Sequence, residues 1–266
     1  RALPISPFTT AIITGATGFC GRHLTSRLSK EGIRVIAAGR QDADLNDPAQ
    51  AAALVERSDP DWIFHLASEG DILPAVRKHA PYARLLLVGS AAEYGEPATL
   101  PITEDHPCRP LTPYGLRKQE LTHRGLEEAR RGLKVVVARP FNIIGPGIPP
   151  HYVVGAVLKR AREALASGVS VVAAGNLDAQ RDFVAVEDVV EGFVRLIQGN
   201  HWGQVFNLCS GKPRRVGAVL ETLLSHAPRS LTLQVDPTLN RSNEVRIYYG
   251  SFDKARQAFG FEQKIS

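Results

Sequence analysis

The chain has 266 residues, 44% of them hydrophobic and 22% charged, with 23 Gly, 18 Pro and 3 Cys. Those fractions exclude a disordered chain, a collagen-like repeat and a disulfide scaffold, and the length allows one large domain or two smaller ones with ample core. No apolar run approaches the roughly 18–20 residues that span a bilayer, so no membrane partner is expected. The N-terminal residues also lack the apolar stretch of a secretory signal. A net charge of +5 favours anionic partners, phosphorylated small molecules among them. There is no clustered basic stripe with aromatics, so nucleic acid is not expected as a partner. Cys20, Cys108 and Cys209 are odd in number and have no metal-ligand spacing, which predicts reduced thiols in a cytoplasmic protein and no metal. The sequence contains no methionine and begins at Arg1, from which a missing stretch of chain is expected.

In chain order, a strand is predicted at Ala11–Thr14, an amphipathic helix at Phe19–Glu31 and a strand at Arg34–Ala38. A helix near Ala49–Arg57 and strands at Trp62–Leu66 and Arg84–Val88 follow. Next come a helix at about Pro113–Arg131 and a strand at Leu133–Ala138. Strand and helix alternating in this way implies βαβ units and a parallel sheet buried on both faces. After Phe141 the texture changes, for Gly145-Pro-Gly-Ile-Pro-Pro150 is a breaker cluster. Helices at about Tyr152–Ser167, Val186–Gln198 and Val216–Ala227 then mix with short strands, the pattern of a smaller lobe on the sheet's carboxyl edge.

The first strand runs directly into Gly15-Ala-Thr-Gly18-Phe-Cys-Gly21. Glycines at i, i+3 and i+6 meet three needs: a tight turn, close approach of the backbone to a pyrophosphate, and close packing of helix on strand. The helix N-terminus beyond them offers free N–H groups and a positive dipole end to an anion. A glycine triplet elsewhere is a plain structural turn. Between the first strand and first helix of a βαβ run it predicts a dinucleotide site, with Gly15, Thr17, Gly18, Phe19 and Gly21 against the cofactor. The fold expected is therefore α/β, a Rossmann-type doubly wound parallel sheet with a smaller α/β substrate-binding lobe. Its division is placed at residues 1–142 and 182–209 for the NAD(P)-binding part and 143–181 and 210–266 for the lobe.

The second strand ends Ala37-Ala-Gly39-Arg40, with no carboxylate at its tip. An acidic residue there would hold a ribose 2′-hydroxyl, whereas an arginine accepts a 2′-phosphate. Arg40 thus points to NADP, with NAD still open; the bland reading is a solvated surface arginine. Asp44 and Leu45 would flank the adenine, and Leu66, Ala67 and Ser68 would line the cofactor's middle. His65 reads as a packed strand residue rather than a catalyst.

Tyr114-Gly-Leu-Arg-Lys118 sets a tyrosine and a lysine four apart at a helix start, about one turn or roughly 6 Å of rise, so both share a face. A free phenol has a pKa near ~10, and a neighbouring ammonium favours its phenolate. Lowering it by about 3 units corresponds to roughly 4 kcal/mol. Such pairs are common on ordinary helices. Ser90, just after the strand Arg84–Val88 and at the same edge as the glycine turn, makes this one a candidate site.

Gly15-x-x-Gly18-x-x-Gly21, Ser90 with Tyr94-Gly95, Tyr114-x-x-x-Lys118, Arg139-Pro-Phe-Asn142 and Arg181-Asp-Phe-Val184 stand in one order along the chain. That order resembles the extended short-chain dehydrogenase/reductases, the NAD-dependent epimerase/dehydratase family, which act mostly on nucleotide sugars. Three stretches look most like the GDP-4-keto-6-deoxymannose reductases of that family: Gly89-Ser-Ala-Ala-Glu-Tyr-Gly95, Arg139-Pro-Phe-Asn-Ile-Ile-Gly-Pro-Gly147 and Phe206-Asn-Leu-Cys-Ser-Gly-Lys212. The resemblance implies Tyr114 as proton donor and acceptor. It implies Lys118 as the group that binds the nicotinamide ribose and lowers the tyrosine pKa, with Ser90 on the reacting oxygen. Pro140 would join the cofactor site, and Asn142, Arg181 and Arg241 would hold the substrate's diphosphate or nucleotide. Glu187 and Asp188 read as capping or solvating the helix at Val186.

Where related dehydratases carry acidic and polar groups after the Ser/Thr, this chain has Ala91 and Ala92, so dehydration is rejected, and Glu93 one place later is not expected to substitute. The resemblance also implies two helices between Leu66 and Arg84, one often at a dimer interface. The stretch here is short, so a deletion or missing residues are expected there and beyond Ser266, and a homodimer is left open. The activity expected is an NADP-dependent reduction of a nucleoside-diphosphate 4-keto-6-deoxy sugar at C4. The alternatives are a UDP-glucose 4-epimerase-like enzyme with the same triad and, more remotely, a non-catalytic NADP-binding sensor.

Overall fold

A computed structural model describes residues 9–240 and 245–265, so Arg241 lies outside the described residues. In chain order the first half forms β1 (Thr10–Thr14), α1 (Phe19–Ser29), β2 (Arg34–Ala38), α2 (Pro48–Ser58), β3 (Trp62–His65), α3 (Leu73–His79), β4 (Arg84–Val88), α4 (Pro113–Arg130) and β5 (Lys134–Pro140). The second half forms β6 (Asn142–Ile144), α5 (Val153–Ser167), β7 (Val171–Ala174), β8 (Gln180–Ala185), α6 (Val186–Gln198), β9 (Val205–Leu208), β10 (Pro213–Arg215), α7 (Val216–Leu224), β11 (Thr232–Val235), β12 (Ile247–Tyr248) and α8 (Asp253–Phe259).

Six strands pair in the order β2-β1-β3-β4-β5-β9, every neighbour parallel. β1 and β3 are buried along their whole length, which explains the apolar and β-branched run of β1 and the apolar Trp62-Ile-Phe64 of β3. One face is closed by α1 and α6, whose Leu24, Leu28, Val189, Val190 and Phe193 pack with Ile13, Phe64 and Leu86 of the sheet. The other face is closed by α2 and α3, with Leu54, Val55, Leu73 and Val76 on Ile12, Ile63, Leu85 and Leu87, and α4 adds Leu121 and Leu126. The chain winds outward from β1 to β2 and then crosses back to β3. The carboxyl ends of β1 and its neighbours therefore open toward a common edge, where open α/β sheets bind ligands.

Beyond β5 a second core forms from α5, α7, β7 and β8, with Val154, Val157, Val172, Phe183 and Leu220 at its centre. β8 anchors a four-stranded sheet: β10 runs antiparallel to it, while β6 and β12 run parallel. β7 and β11 make a separate parallel pair.

Between β3 and β4 there is one short helix, α3, where the resemblance implies two, in keeping with the short stretch read there. One expectation is corrected. Asp188 is not a solvated cap: it is buried, and its Oδ2 accepts from the backbone N–H groups of Lys264 and Ile265, tying the C-terminal segment to α6.

Candidate active site

The glycine turn has the geometry its spacing predicts. Gly15 takes φ +68°, and a Cβ there would lie 2.9 Å from the Ala67 nitrogen. A Cβ on Gly21 would lie 2.3 Å from the Gly15 oxygen and 2.6 Å from the Ala16 Cα, so α1 sits on β1 at glycine distance. Gly18 differs, since its Cβ would meet only the Gly15 oxygen, at 3.1 Å, and otherwise fill open space. Gly18 is also the N-cap of α1, with no side chain capping the helix. An uncapped helix start above a bare glycine is a cradle for an anion, and a dinucleotide pyrophosphate fits it. Thr17 is exposed beside this turn and Phe19 is buried under it.

The other expected cofactor positions share the edge. Arg40 follows β2, Leu66, Ala67 and Ser68 follow β3, and Pro140 ends β5. Asp44 turns inward on its own loop, where its Oδ1 accepts from the backbone and side chain of Asn46, and Leu45 packs half-buried on the α2 side of the core. Arg40 carries a partner that the sequence did not reveal: its guanidinium donates to Glu69 at 2.7 Å. His65 is fully buried, with Nδ1 2.8 Å from the Thr14 hydroxyl, and burial followed by the Lys118 charge holds it down to about 3. It is the packed strand residue expected.

Ser90, Tyr114 and Lys118 are brought together by two close approaches. After β4 the chain makes a single 3₁₀ turn, Ala91–Glu93, capped reciprocally: the Ser90 hydroxyl accepts from the Ala92 nitrogen at 3.1 Å and the Ser90 nitrogen donates to Glu93 Oε1 at 2.9 Å. α4 starts with Thr112, whose hydroxyl accepts from the Gly115 nitrogen, and Pro113 follows at the first helical position. A Cβ on Gly115 would stand 2.5 Å from the Ala92 oxygen, so the helix start lies directly on the 3₁₀ turn. Tyr114 is thereby brought to the Ser90 turn, and the Ser90 side chain acts on its hydroxyl. Tyr114 keeps 41% of its surface exposed. Burial raises its pKa, and the hydrogen bond with Ser90 opposes the rise.

Lys118 behaves otherwise than expected. Its side chain is 3% exposed, and its Nζ donates to the carbonyls of Val88 at 2.8 Å and Ala67 at 3.2 Å, at the ends of β4 and β3. Burial brings it down to about 8 against an upward pull from the Glu93 charge. The ammonium is thus held by strand carbonyls, and the cation lowering Tyr114 is Arg117, whose effect is small.

Behind Ser90 lies a network with one legible signal, the Ser90-x-x-Glu93 capping pattern. Glu93 is fully buried and takes four donors: Ser90 N and the Thr122 hydroxyl on Oε1, and Arg139 Nε and Nη2 on Oε2. Burial raises its pKa, and the Arg139 charge with the hydrogen bonds from Ser90, Arg139 and Thr122 opposes the rise. The Arg139 guanidinium lies 4.7 Å from the Tyr94 ring centre, and the Tyr94 hydroxyl donates to Asn207 at 2.7 Å. Tyr248, on β12, donates its hydroxyl to the Ala91 carbonyl and tethers the smaller sheet to the 3₁₀ turn.

The expected substrate residues line that smaller sheet. Asn142 is exposed at the start of β6 and donates to the Asp182 carbonyl at 2.9 Å, while Arg181 on β8 stands in register with Tyr248. Asp182 collects donors from Ser210, Gly211 and Gly250, pinning β8 against the loops after β9 and β12. No group of three or more metal-ligating side chains gathers among the described residues. Among them, too, no helix is long and apolar enough to cross a membrane.

A pyrophosphate cradle on the first βα turn, with a hydroxyl pair two strands along on the same edge, defines the class: an NAD(P)-dependent oxidoreductase of the extended short-chain type. The chain belongs to the NAD dependent epimerase/dehydratase family, whose model matches residues 11–77 and 70–209. It is 28% identical over 280 residues to the GDP-6-deoxy-D-mannose reductase of Pseudomonas aeruginosa, covering 96% of this chain and 92% of the relative. The UDP-glucose 4-epimerase of Mycolicibacterium smegmatis is also 28% identical, over 75% of this chain and 77% of its own. Among solved structures, RMD from Pseudomonas aeruginosa complexed with NADPH superimposes with a TM-score of 0.86 at 27% identity, covering 97% of this chain and 93% of that one.

Proposed function

We propose that the protein is an NADP-dependent reductase of a nucleoside-diphosphate 4-keto-6-deoxy sugar, working in the cytoplasm. The observation that carries this reading is the chemistry around Ser90. Ala91 and Ala92 hold no proton to give, and the Glu93 carboxylate is consumed by four donors behind the turn. Tyr114 is then the proton source at this edge, and Ser90 its partner. Similarity to a GDP-6-deoxy-D-mannose reductase over nearly the whole chain supports a keto-sugar substrate, and Arg40 supports NADP over NAD.

Bound NADPH supplies the hydride that a carbonyl carbon needs to become an alcohol. The chain supplies the rest. Gly15, Thr17, Gly18, Phe19 and Gly21 seat the pyrophosphate, and Arg40 takes the 2′-phosphate. Leu66, Ala67, Ser68 and Pro140 line the middle, and Lys118 adds its charge near the ribose. Ser90 and Tyr114 both point hydroxyls at the C4 oxygen, where preorganised donors stabilise the negative charge that develops. Tyr114 delivers its proton to that oxygen as general acid. Asn142 and Arg181 hold the diphosphate. On this reading residues 1–142 and 182–209 form the cofactor part and 143–181 and 210–266 the substrate lobe.

The test is NADPH oxidation with GDP-, dTDP- and UDP-linked 4-keto-6-deoxy sugars, run beside an epimerisation assay. One NADPH lost per sugar reduced is expected, with Tyr114→Phe lowering kcat by about 10²–10⁴-fold while the NADPH Kd stays within threefold. Unchanged turnover in Tyr114→Phe would refute the catalytic assignment. Interconversion of a nucleotide sugar without net loss of cofactor would replace the reductase with a 4-epimerase.

A further inference from the structure

We propose that Glu69 sets the cofactor preference of this protein by competing with the ribose 2′-phosphate for Arg40. The proposal rests on the reading of Arg40 as the 2′-phosphate residue and adds a residue to which no role has been given.

The placement follows from the sheet order. β2 and β3 flank β1, so the loops after them stand on either side of the glycine turn. Those two loops touch through their backbones. The Asp71 nitrogen donates to the Leu45 carbonyl at 3.1 Å, and a Cβ on Gly70, whose φ is +87°, would lie 2.3 Å from the Leu45 Cβ. Glu69 is therefore held beside the Arg40 loop by main-chain packing, independently of where the two long side chains turn. Across this seam Arg40 Nη2 meets Glu69 Oε2 at 2.7 Å, with side chains 85% and 49% exposed. Solvated pairs of this kind contribute little to stability, so a stronger anion displaces the carboxylate at small cost.

The chemistry of the two cofactors then diverges at one group. A phosphate monoester carries close to two negative charges at neutral pH, and once it takes the guanidinium it faces the displaced Glu69 carboxylate at short range. The unphosphorylated cofactor has a 2′-hydroxyl at that place, and a carboxylate at this edge is the group that accepts from it. Glu69 therefore weakens NADPH and supports NADH. Arg40 does the reverse. The pair makes a narrow preference for NADPH where Arg40 alone would make a wide one.

The experiment is equilibrium binding of NADPH and of NADH, by cofactor fluorescence, to the wild-type chain, Glu69→Gln, Arg40→Ala and the double variant. Both positions are exposed, so the variants keep the wild-type melting temperature. Glu69→Gln is expected to tighten NADPH about fivefold, the size of one exposed charge interaction, and to weaken NADH about twofold. Its effect on NADPH should shrink as salt is raised from 0.05 to 0.5 M and be smaller in the Arg40→Ala background, where competition for the guanidinium is gone and only the repulsion between carboxylate and phosphate is left. A Glu69→Gln protein whose NADPH-to-NADH affinity ratio stays within twofold of wild type, while Arg40→Ala lowers that ratio, would overturn the role of Glu69 and leave Arg40 standing. If Arg40→Ala leaves the ratio unchanged, Arg40 is not the 2′-phosphate residue and both assignments fall.

Discussion

Replacing Lys118 by methionine should remove a pH-dependent cost, so that the wild type gains stability on the variant as the pH rises. The ammonium is 3% exposed, and burial lowers its pKa from 10.5 to about 8. At 1.36 kcal/mol per unit, keeping the buried lysine protonated costs about 3.4 kcal/mol of folding free energy. Below pH 8 both the folded and the unfolded chain hold the proton, so that cost is constant. Between 8 and 10.5 the unfolded chain binds a proton that the folded one has released, so stability climbs with pH; above 10.5 the cost is gone. Methionine has nearly the same length and no charge. The carbonyls of Val88 and Ala67 lose a donor in the variant, but that loss does not change with pH. Urea denaturation of both proteins from pH 7 to 10.5 reads the difference, with other titrating groups cancelling between them. The wild type should gain about 3 kcal/mol on Lys118→Met over that range. A difference that stays flat would mean that the ammonium is not desolvated as its surroundings require.

Two further substitutions separate the roles of neighbouring residues. Gly21→Ala drives a methyl to 2.3 Å from the Gly15 oxygen and should cost about 1–3 kcal/mol in urea titrations, whereas Gly18→Ala should fold with near-wild-type stability and weaken NADPH binding more than tenfold, because its methyl enters open space in the cradle. Glu93→Leu strands the buried Arg139 guanidinium and should destabilise by about 3–5 kcal/mol; a loss below 1 kcal/mol would show that the pair is hydrated.

The parallel sheet was legible because its signals are local. β-branched runs, a Gly-x-x-Gly-x-x-Gly turn and an amphipathic period each depend on a few adjacent residues. β2, β4 and α6 fall at Arg34–Ala38, Arg84–Val88 and Val186–Gln198, as read from the sequence. The grouping of Ser90 with Tyr114 was legible too, since a strand end and a helix start can be placed on one edge without knowing a single torsion. What escaped was pairing across distant loops. Glu69 meets Arg40 because β2 and β3 flank β1, and nothing in either segment announces a partner 29 residues away. Glu93 carried half a signal, the capping pattern with Ser90, but its partner Arg139 comes from β5. The direction of Lys118 escaped for another reason. Spacing puts it on the tyrosine's face of the helix, while the choice between phenol and strand carbonyls is made by a side chain with four rotatable bonds, which spacing does not constrain.

That last difference bears on the direction of the chemistry. A tyrosine whose pKa was pulled toward neutrality would stand partly as phenolate, the form an alcohol-oxidising enzyme needs. Here burial raises the Tyr114 hydroxyl above its ordinary value, and Lys118 gives its protons to Val88 and Ala67. In the chain by itself Tyr114 is therefore a phenol at neutral pH, with its proton in place beside Ser90. A reductase must begin each turnover by holding a proton for the oxygen of its ketone. That protonated hydroxyl beside Ser90 is the group on which the proposed reduction would draw at the start of each turnover.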